Sequence, residues 1–559
     1  MYPITRPLQL RDNSTVSYTD GRTPERRILQ AMRSADDVRA DSDELMSLVH
    51  DWPSYYHLGV GRSAILRPLE LPADARVLEI GAGCGAITRY LGEQCAQVEA
   101  LEGTPVRAEI ADERCRGLDN VSIQAGDFAQ LVAEPVYDLV VVVGVLEYAP
   151  IYFAPDAPPR EACLAFLRHT VECLNPSGQL ILAIENRLGA KYWAGFPEDH
   201  TGRLFEGIHG YPAPDTPITF SRAGLSDLLT ESGLAKQRFY YCFPDYHFAT
   251  TVLSDHGDEA ELALNHWVDA PFQSLARMRQ YLFDETLATA SLCRAGLLRE
   301  FANSFLVAAS PGDFEPPEPD WTVKKYQMRR PEPLRAVTTL YPGPPPVVTK
   351  EPLHGGRVYR VGAGDLTIEQ RLGQAPWRPG VPLTLEFNRA KLTDQFDTYV
   401  RDTLDGYHRR LLESFGLGRN DPDGFPLLKP GALDSLFSNV LVDGDDWHFI
   451  DEEWYADRPL PVDFVLYRCI RFCLYHHGWG EGRCRREIRR LYPEYGRRRH
   501  RTNRRLADDI QEATVGNMNP KLILSGLQGL SRHRLLWSVL SKAWARTPAW
   551  LRAVIRERV

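Results

Sequence analysis

Val77-Leu78-Glu79-Ile80-Gly81-Ala82-Gly83-Cys84-Gly85 reads as a strand ending in a glycine turn, with a helix opening at Ala86. Without Cβ atoms, Gly81, Gly83 and Gly85 let the chain bend sharply and let a ligand lie against bare backbone. Nicotinamide- and flavin-binding domains use similar turns, so the acids around this one must narrow the chemistry. Glu79 sits in the strand itself. Glu102 closes the next strand, where a carboxylate can accept from both hydroxyls of a ribose. Asp127 follows the third strand, placed to accept from an adenine amino group, with Phe128 beside it for stacking. The fourth strand ends in Gly144 and Leu146-Glu147-Tyr148, at the carboxyl edge where open α/β sheets bind ligands. A phosphate-binding turn fits less well: GAGCGA lacks the third glycine at its usual spacing, and the partner acid comes 17 residues after Gly85.

This ordered set resembles the class I S-adenosylmethionine-dependent methyltransferases. The resemblance implies a Rossmann-like, seven-stranded domain in which Glu79, Gly81, Gly83, Gly85, Glu102, Asp127, Phe128 and Gly144 hold the methyl donor. Because that donor is already activated, such a protein mainly aligns the reactants and excludes water. A hydroxyl acceptor wants a general base within reach, whereas an anionic acceptor such as a phosphate wants positive charge. Two segments offer such groups. Tyr56, His57 and Arg62 precede the donor turn. Ile184-Glu185-Asn186-Arg187-Leu188-Gly189-Ala190-Lys191 leads on to Glu198-Asp199-His200, a lid-like loop offering Arg187 and Lys191 as a clamp and His200 as the base. Taken singly, each of these is also the kind of residue that decorates a solvated loop.

A second constellation lies far downstream. Asp434 precedes Asn439 by five residues, a strand-turn-strand VLVDGDDWHFI follows, and Asp451 comes 12 residues after Asn439. Phosphoryl transfer wants this spacing: one carboxylate orients an attacking hydroxyl, while the amide and the second carboxylate hold Mg²⁺ against nucleotide phosphates. Val347-Val348-Thr349-Lys350 reads as a strand carrying a phosphate-contacting lysine. A hairpin with a turn-forming Asp and a capping Asn gives the same pattern without chemistry. Ala432-Leu433 stand where His-Arg would precede Asp434, YPGPPP at 341–346 replaces a glycine-rich nucleotide loop, and Glu369 is a candidate partner for Lys350. The unit reads as an active small-molecule kinase or a degenerate one.

With both sites read, residues 50–475 are similar to the bifunctional O-antigen chain-terminating methyltransferase–kinase family. WPSYYHLGVGR, VLEIGAGCGAITRYLGE, GVLEYAP, IENRLGAKYWAG with EDHTG, FPDYHFATTVLSD, FANSFLVAAS and LDSLFSNVLVDGDDWHFIDEEW carry the likeness. It implies that the kinase part phosphorylates a terminal sugar and the methyltransferase part then methylates the new phosphate. In that scheme Asp434 is the catalytic acid–base, Asn439 and Asp451 bind Mg²⁺, and Lys350 contacts ATP. The acceptor would be a glycan or lipid-linked polysaccharide, with a glycan-assembly glycosyltransferase as a partner. The alternative is a single-activity methyltransferase whose kinase-like unit only scaffolds.

The elements that must position these groups are legible in outline. β-Branched runs at 76–80, 97–101, 121–124, 137–143 and 179–184 alternate with helical stretches, which indicates a mostly parallel sheet covered on both faces. The chain divides into a polar lead-in (1–50), the α/β methyltransferase domain (51–254), a helical bridge (255–310), a Pro-rich linker (311–346), a kinase-like α+β domain (347–477) and a basic helical tail (478–559). The composition is 43% apolar and 25% charged over 559 residues, ample for more than one core, which excludes wholesale disorder and disulfide scaffolds. Ten sparse cysteines without a CxxC pair suit reduced cytoplasmic thiols. No secretory signal opens the chain, and the longest apolar run, Leu139 to Leu146, is too short to span a bilayer. Residues 481–559 carry 19 Lys/Arg against 7 Asp/Glu, a local +12 in a chain of net charge −9. Around Trp544 and Trp550 the pattern is amphipathic and cationic, which suits either a helix at the anionic inner face of a membrane or one docked on the protein. Nucleic acid is the third and least favoured partner, because no RNA-binding fold accompanies the charge.

Overall fold

The computed structural model describes residues 8–213, 215–272 and 279–515. Its centre is one twelve-stranded sheet. In chain order the strands are β1 (Arg76–Ile80), β2 (Gln97–Glu102), β3 (Val121–Ala125), β4 (Tyr137–Val143), β5 (Leu174–Glu185), β6 (Lys236–Phe243), β7 (Thr251–Leu253), β8 (Ser304–Ser310), β9 (Val323–Tyr326), β10 (Ala336–Tyr341) and β11 (Val347–Pro352). Two strands outside or at the edge follow, β12 (Val358–Ala363) and β13 (Leu366–Arg371), and then the edge strand β14 (Gln374–Pro376). Across the sheet the order is β14-β11-β10-β9-β7-β6-β8-β5-β4-β1-β2-β3. The span from β3 to β6 is the expected Rossmann-like seven-stranded unit: β1 to β5 are parallel, and β8 inserts antiparallel between β5 and β6.

The hydrophobic pattern explains why β1 and β4 sit at the middle. Val77, Leu78, Val140, Val141 and Val142 have no exposed surface, and each such side chain contributes about 1.5–3 kcal/mol by leaving water. Helices Ala86–Gln94, Pro105–Cys115 and Pro159–Val171 form the crossovers. The last two start on a proline, whose fixed φ and missing N–H suit a first turn.

Three stretches differ from the sequence reading. The polar lead-in packs on the sheet: Leu10 bridges to Leu131, Val16 N–H donates to the Gly103 carbonyl, and Arg22–Ser34 is a helix that buries Ile28 and Met32. The helical bridge contains β8, whose sequence SFLVAAS has helix-compatible alanines but is buried along its whole length between two neighbours. The Pro-rich linker contains β9 and β10. Its prolines make a tight hairpin in which Tyr341 faces Val347, so β11, with Lys350, returns onto the methyltransferase sheet rather than opening a separate domain.

The C-terminal unit has its own core, built on Tyr407, Phe437, Val440, Leu466 and Tyr467, with three small three-stranded sheets around it. The basic segment begins as two helices docked on that core. Glu481–Leu491 and Arg497–Val515 bury Cys484, Ile488, Ala507 and Ile510. Several of their arginines are committed internally: Arg499 to Asp421, Asp423 and Asp463, Arg490 to Asp405, and Arg483 to Asp397. The tryptophan-bearing amphipathic segment lies outside the described residues. Among the described residues no helix is long and apolar enough to cross a membrane.

Candidate active site

A cavity of about 550 Å³ opens at the carboxyl edge of β1, β2 and β4. Glu79, Gly81, Gly83, Glu102, Asp127, Phe128 and Gly144 line one end of it, as the spacing predicts. Gly85 caps the following helix in a left-handed conformation (φ 80°) just behind the turn. Gly81 has φ 82°, and a Cβ there would stand 2.4 Å from Val145. At Gly144 (φ 69°) a Cβ would meet the Tyr246 hydroxyl at 2.3 Å, so both turns require glycine. Glu102 is fixed from two sides: Gly83 N–H donates to its Oε2 at 2.7 Å and Thr104 N–H to its Oε1 at 2.9 Å. Asp127 accepts from Ala129 N–H at 2.9 Å, and the Phe128 ring packs among Phe153, Phe166 and His169 while lining the cavity. Burial pushes the Glu79 carboxyl up to about 7, and its Oε2 is buried without a hydrogen bond.

The other end of the cavity is built from β5, helix Trp52–Leu58, the loop that holds His200, and the turn after β6. Tyr56, His57, Arg62, Lys191 and His200 line it. Arg62 lies 4.2 Å over the Tyr56 ring and donates to the His247 carbonyl at 2.7 Å. His57 Nε2 meets Asp20 Oδ2 at 2.9 Å, and burial lowers the pKa of its imidazole. Lys191 is a buried ammonium, 2.7 Å from Asp199 and 3.6 Å from Asp245. Burial opposes those two charges, but Lys191 and His247 hold the Asp245 carboxylate below its ordinary range.

Arg187, expected in the clamp, does not line the cavity; its main chain is turned to Phe220, and its Cβ faces the Gly207 backbone. With Lys191 paired to two carboxylates and Arg107 to Asp20, the cationic side chains left to the cavity wall are Arg62 and Arg329. The wall also holds groups not singled out from sequence: Glu147, Glu185, Asp245 and His247, and, from the lead-in, Tyr18 and Asp20. Glu147 and Glu185 stood in motifs already noted, but nothing in their spacing said they would face each other. Asp20 could not be placed, because a lead-in without periodicity gives no hint of where it crosses.

The second constellation does converge. Lys350 on β11 forms ion pairs with Asp451 and, at 2.7 Å, with Glu453. Asp434 Oδ2 accepts from the N–H groups of Glu453 and Trp454, and the Asn439 amide donates to the Asp434 carbonyl at 2.9 Å. Asp451 takes a left-handed φ of 64°, which is uncommon for a side-chain-bearing residue and tends to mark turns and functional loops. Burial and the neighbouring Asp451 push the Asp434 carboxyl up. Glu369 is not the partner of Lys350; it pairs with Arg360 and Arg371 on the exposed side of its strand. Glu453 takes that place and also receives Arg330 and Gln370. The fit to a nucleotide–magnesium site is incomplete, because the Lys350 ammonium already occupies the Asp451 carboxylate that the metal would need.

Residues 78–180 match the family model of a methyltransferase domain. Over 68 residues the chain is 41% identical to the probable ribosomal RNA small subunit methyltransferase A of Methanothermobacter thermautotrophicus, covering 12% of this chain and 24% of that protein. Over 85 residues it is 38% identical to the protein-L-isoaspartate O-methyltransferase of Nitrobacter winogradskyi, covering 15% and 39%. The chain thus spans well under half the length of these relatives. Among solved structures it is similar to a phosphoethanolamine N-methyltransferase of Haemonchus contortus, in complex with phosphomonomethylethanolamine and S-adenosylhomocysteine. That likeness has a TM-score of 0.27 at 14% identity and covers 45% of this chain and 52% of that one. The family match, the strand order and the glycine turn agree: the chain carries a class I S-adenosylmethionine-dependent methyltransferase domain.

Proposed function

We propose that the protein transfers a methyl group from S-adenosylmethionine to an acceptor held between the Tyr56–Arg62 segment and the His200 loop. The observation that carries this reading is the Glu102 carboxylate, locked by Gly83 and Thr104 N–H groups at the end of β2 and facing the glycine turn across one cavity. When bound, the donor supplies a methyl group on a positively charged sulfur, which leaves as a neutral thioether. Glu102 and Asp127 orient the nucleoside, and Glu79 offers negative charge to a cationic ligand. Phe128, Tyr148 and Tyr246 exclude water from the path. A hydroxyl acceptor would give its proton to an imidazole of the wall. His200, whose Nδ1 is turned to Glu198 at 3.2 Å, presents Nε2 to the cavity, and His247 stands beside it.

The finer reading is that the acceptor is a glycan terminus, or a phosphate on it, and that the C-terminal unit phosphorylates that end. What supports it is the convergence of Asp434, Asn439, Asp451 and Lys350. What supports the scaffold alternative is the internal pairing of Lys350 and the stiff hairpin in place of a glycine loop. The glycosyltransferase partner and the membrane contact of the tail belong to this reading as well.

Isothermal titration with S-adenosylhomocysteine, followed by a Mg·ATP analogue in the same cell, tests both levels. One site for each ligand is expected, the second lost in Asp451→Ala. Binding of the first ligand alone leaves a methyltransferase with a scaffold unit. Absence of the first refutes the methyltransferase reading.

A further inference from the structure

We infer that Glu147, Glu185 and His200 form a binding site for a divalent metal ion at the acceptor end of the cavity. One ligand atom from each lies within 4.8 Å of the other two. Donor atoms each about 2.1 Å from a shared ion stand some 3–4 Å apart. The His200 Nε2 to Glu147 Oε1 separation is 3.7 Å, too long for a hydrogen bond and right for two ligands of one ion.

Two independent features point to a missing cation. Glu147 and Glu185 are both fully buried, and all four of their carboxyl oxygens lack a hydrogen-bond partner. Buried carboxyl groups in that state are costly unless a counter-charge serves them. Lys191, the ammonium in the same wall, is committed to Asp199 and Asp245, and His247 stays 3.7 Å from Glu185. The second feature is the orientation of His200. Its backbone N–H donates to Glu198 Oε2 at 2.8 Å and its Nδ1 faces Glu198 Oε1 at 3.2 Å. That contact places the ring proton on Nδ1 and leaves the Nε2 lone pair directed at the two glutamates. A carboxylate holding the far nitrogen of an imidazole is the usual support of a metal-ligating histidine.

Two carboxylates and an imidazole suit a first-row divalent ion such as Mn²⁺ or Zn²⁺, with open positions for an oxygen of the acceptor. The ion places positive charge in a part of the wall that otherwise offers a phosphate or an alkoxide only carboxyl groups. His247 is then the imidazole left to receive a proton. This inference rests on the methyltransferase reading of the cavity and assigns the acceptor as an oxygen ligand.

The test uses the full chain carrying Asp451→Asn, so that the C-terminal acidic cluster does not contribute. After chelator treatment, Mn²⁺ and, separately, Zn²⁺ are titrated, with Mn²⁺ followed by electron paramagnetic resonance. S-adenosylhomocysteine binding is measured on every sample. One equivalent of metal is expected, weakened at least tenfold by Glu185→Gln and by Glu147→Gln. Glu198→Gln, which weakens the support of His200 and keeps an oxygen for the Thr201 N–H, should weaken it about tenfold. Neither metal binding, or binding unchanged in both glutamate variants while S-adenosylhomocysteine still binds, overturns the metal site and leaves the donor reading intact. Failure of the parent to bind S-adenosylhomocysteine removes the reading on which the inference rests.

Discussion

Glu79 is a buried carboxyl at the donor end of the cavity, and its pKa of about 7 has consequences of known sign. In the unfolded chain this group ionises near 4.5; in the folded protein it holds its proton until about 7. Between those values the folded state binds more protons, so the stability contribution present below pH 4.5 is lost as pH rises through 7. At roughly 1.4 kcal/mol per unit, the loss is about 3 kcal/mol by pH 8. Glu79→Gln removes it. The ligand-free variant should therefore melt several degrees above the parent at pH 8 and equal it near pH 4.5. The cost has a use: an ionised Glu79 favours a positively charged sulfonium over a neutral thioether. The preference for S-adenosylmethionine over S-adenosylhomocysteine should accordingly rise from pH 6 to 8 in the parent and stay flat in Glu79→Gln, measured by titration at each pH. A flat ratio in the parent would show that the charge of Glu79 is not felt at the sulfur.

At the scale of elements, β11 and the Arg330 turn meet the C-terminal unit at one buried side chain that β13 also touches. Glu453 is buried and receives Lys350, Arg330 and Gln370 together. Removing this carboxylate strips Arg330 of its partner and leaves Lys350 with Asp451 alone, at a cost of about 1.5–3 kcal/mol. Glu453→Ala should lower the denaturant midpoint by that amount, and Glu453→Gln by less, since the amide oxygen still accepts from Arg330. A midpoint unchanged in Glu453→Ala would mean that the remaining contacts, among them Lys350 with Asp451 and Gln370 with the Leu334 carbonyl, hold the two units without it. This tie was hidden in the sequence, where Asp434, Asn439, Asp451 and Lys350 stood out by spacing and Glu453 looked like one acid in DEEW. The strands β1 to β4 were legible because continuous β-branched runs have few other homes. β8 was not, because small residues fit a strand buried on both faces as well as they fit a helix. The donor-end acids could be named from their places at strand ends. The acceptor wall could not, since Asp20, Glu147 and His247 come from elements whose meeting depends on tertiary packing.

For the whole molecule, composition suggests a methyltransferase domain, a proline-rich linker and a separate second domain, whereas the sheet runs straight through that boundary. β9 pairs with β7, Ser254 N–H donates to the Thr322 carbonyl at 2.9 Å, and Trp321 stacks on Tyr240 at 5.7 Å. The extension also holds the lead-in. Arg335 reaches Asp43 and the Asp41 carbonyl, and His354 meets Asp41 at 2.7 Å. The lead-in in turn supplies Tyr18 and Asp20 to the cavity, with Asp20 clamped by Arg107 and His57. Donor binding is thus linked through three segments to strands beyond residue 311. A fragment ending at residue 310, which keeps the lead-in, the methyltransferase domain and the bridge as the sequence divides them, would expose the buried edge of β7 and the face of Tyr240 and would free the lead-in. An unpaired, buried strand edge invites aggregation. That fragment should be largely insoluble, and its soluble fraction should bind S-adenosylhomocysteine at least tenfold more weakly than the full chain. A soluble fragment with full affinity would instead mean that β9 to β11 merely lie against the domain, and that the cavity is assembled without the lead-in being pinned from outside.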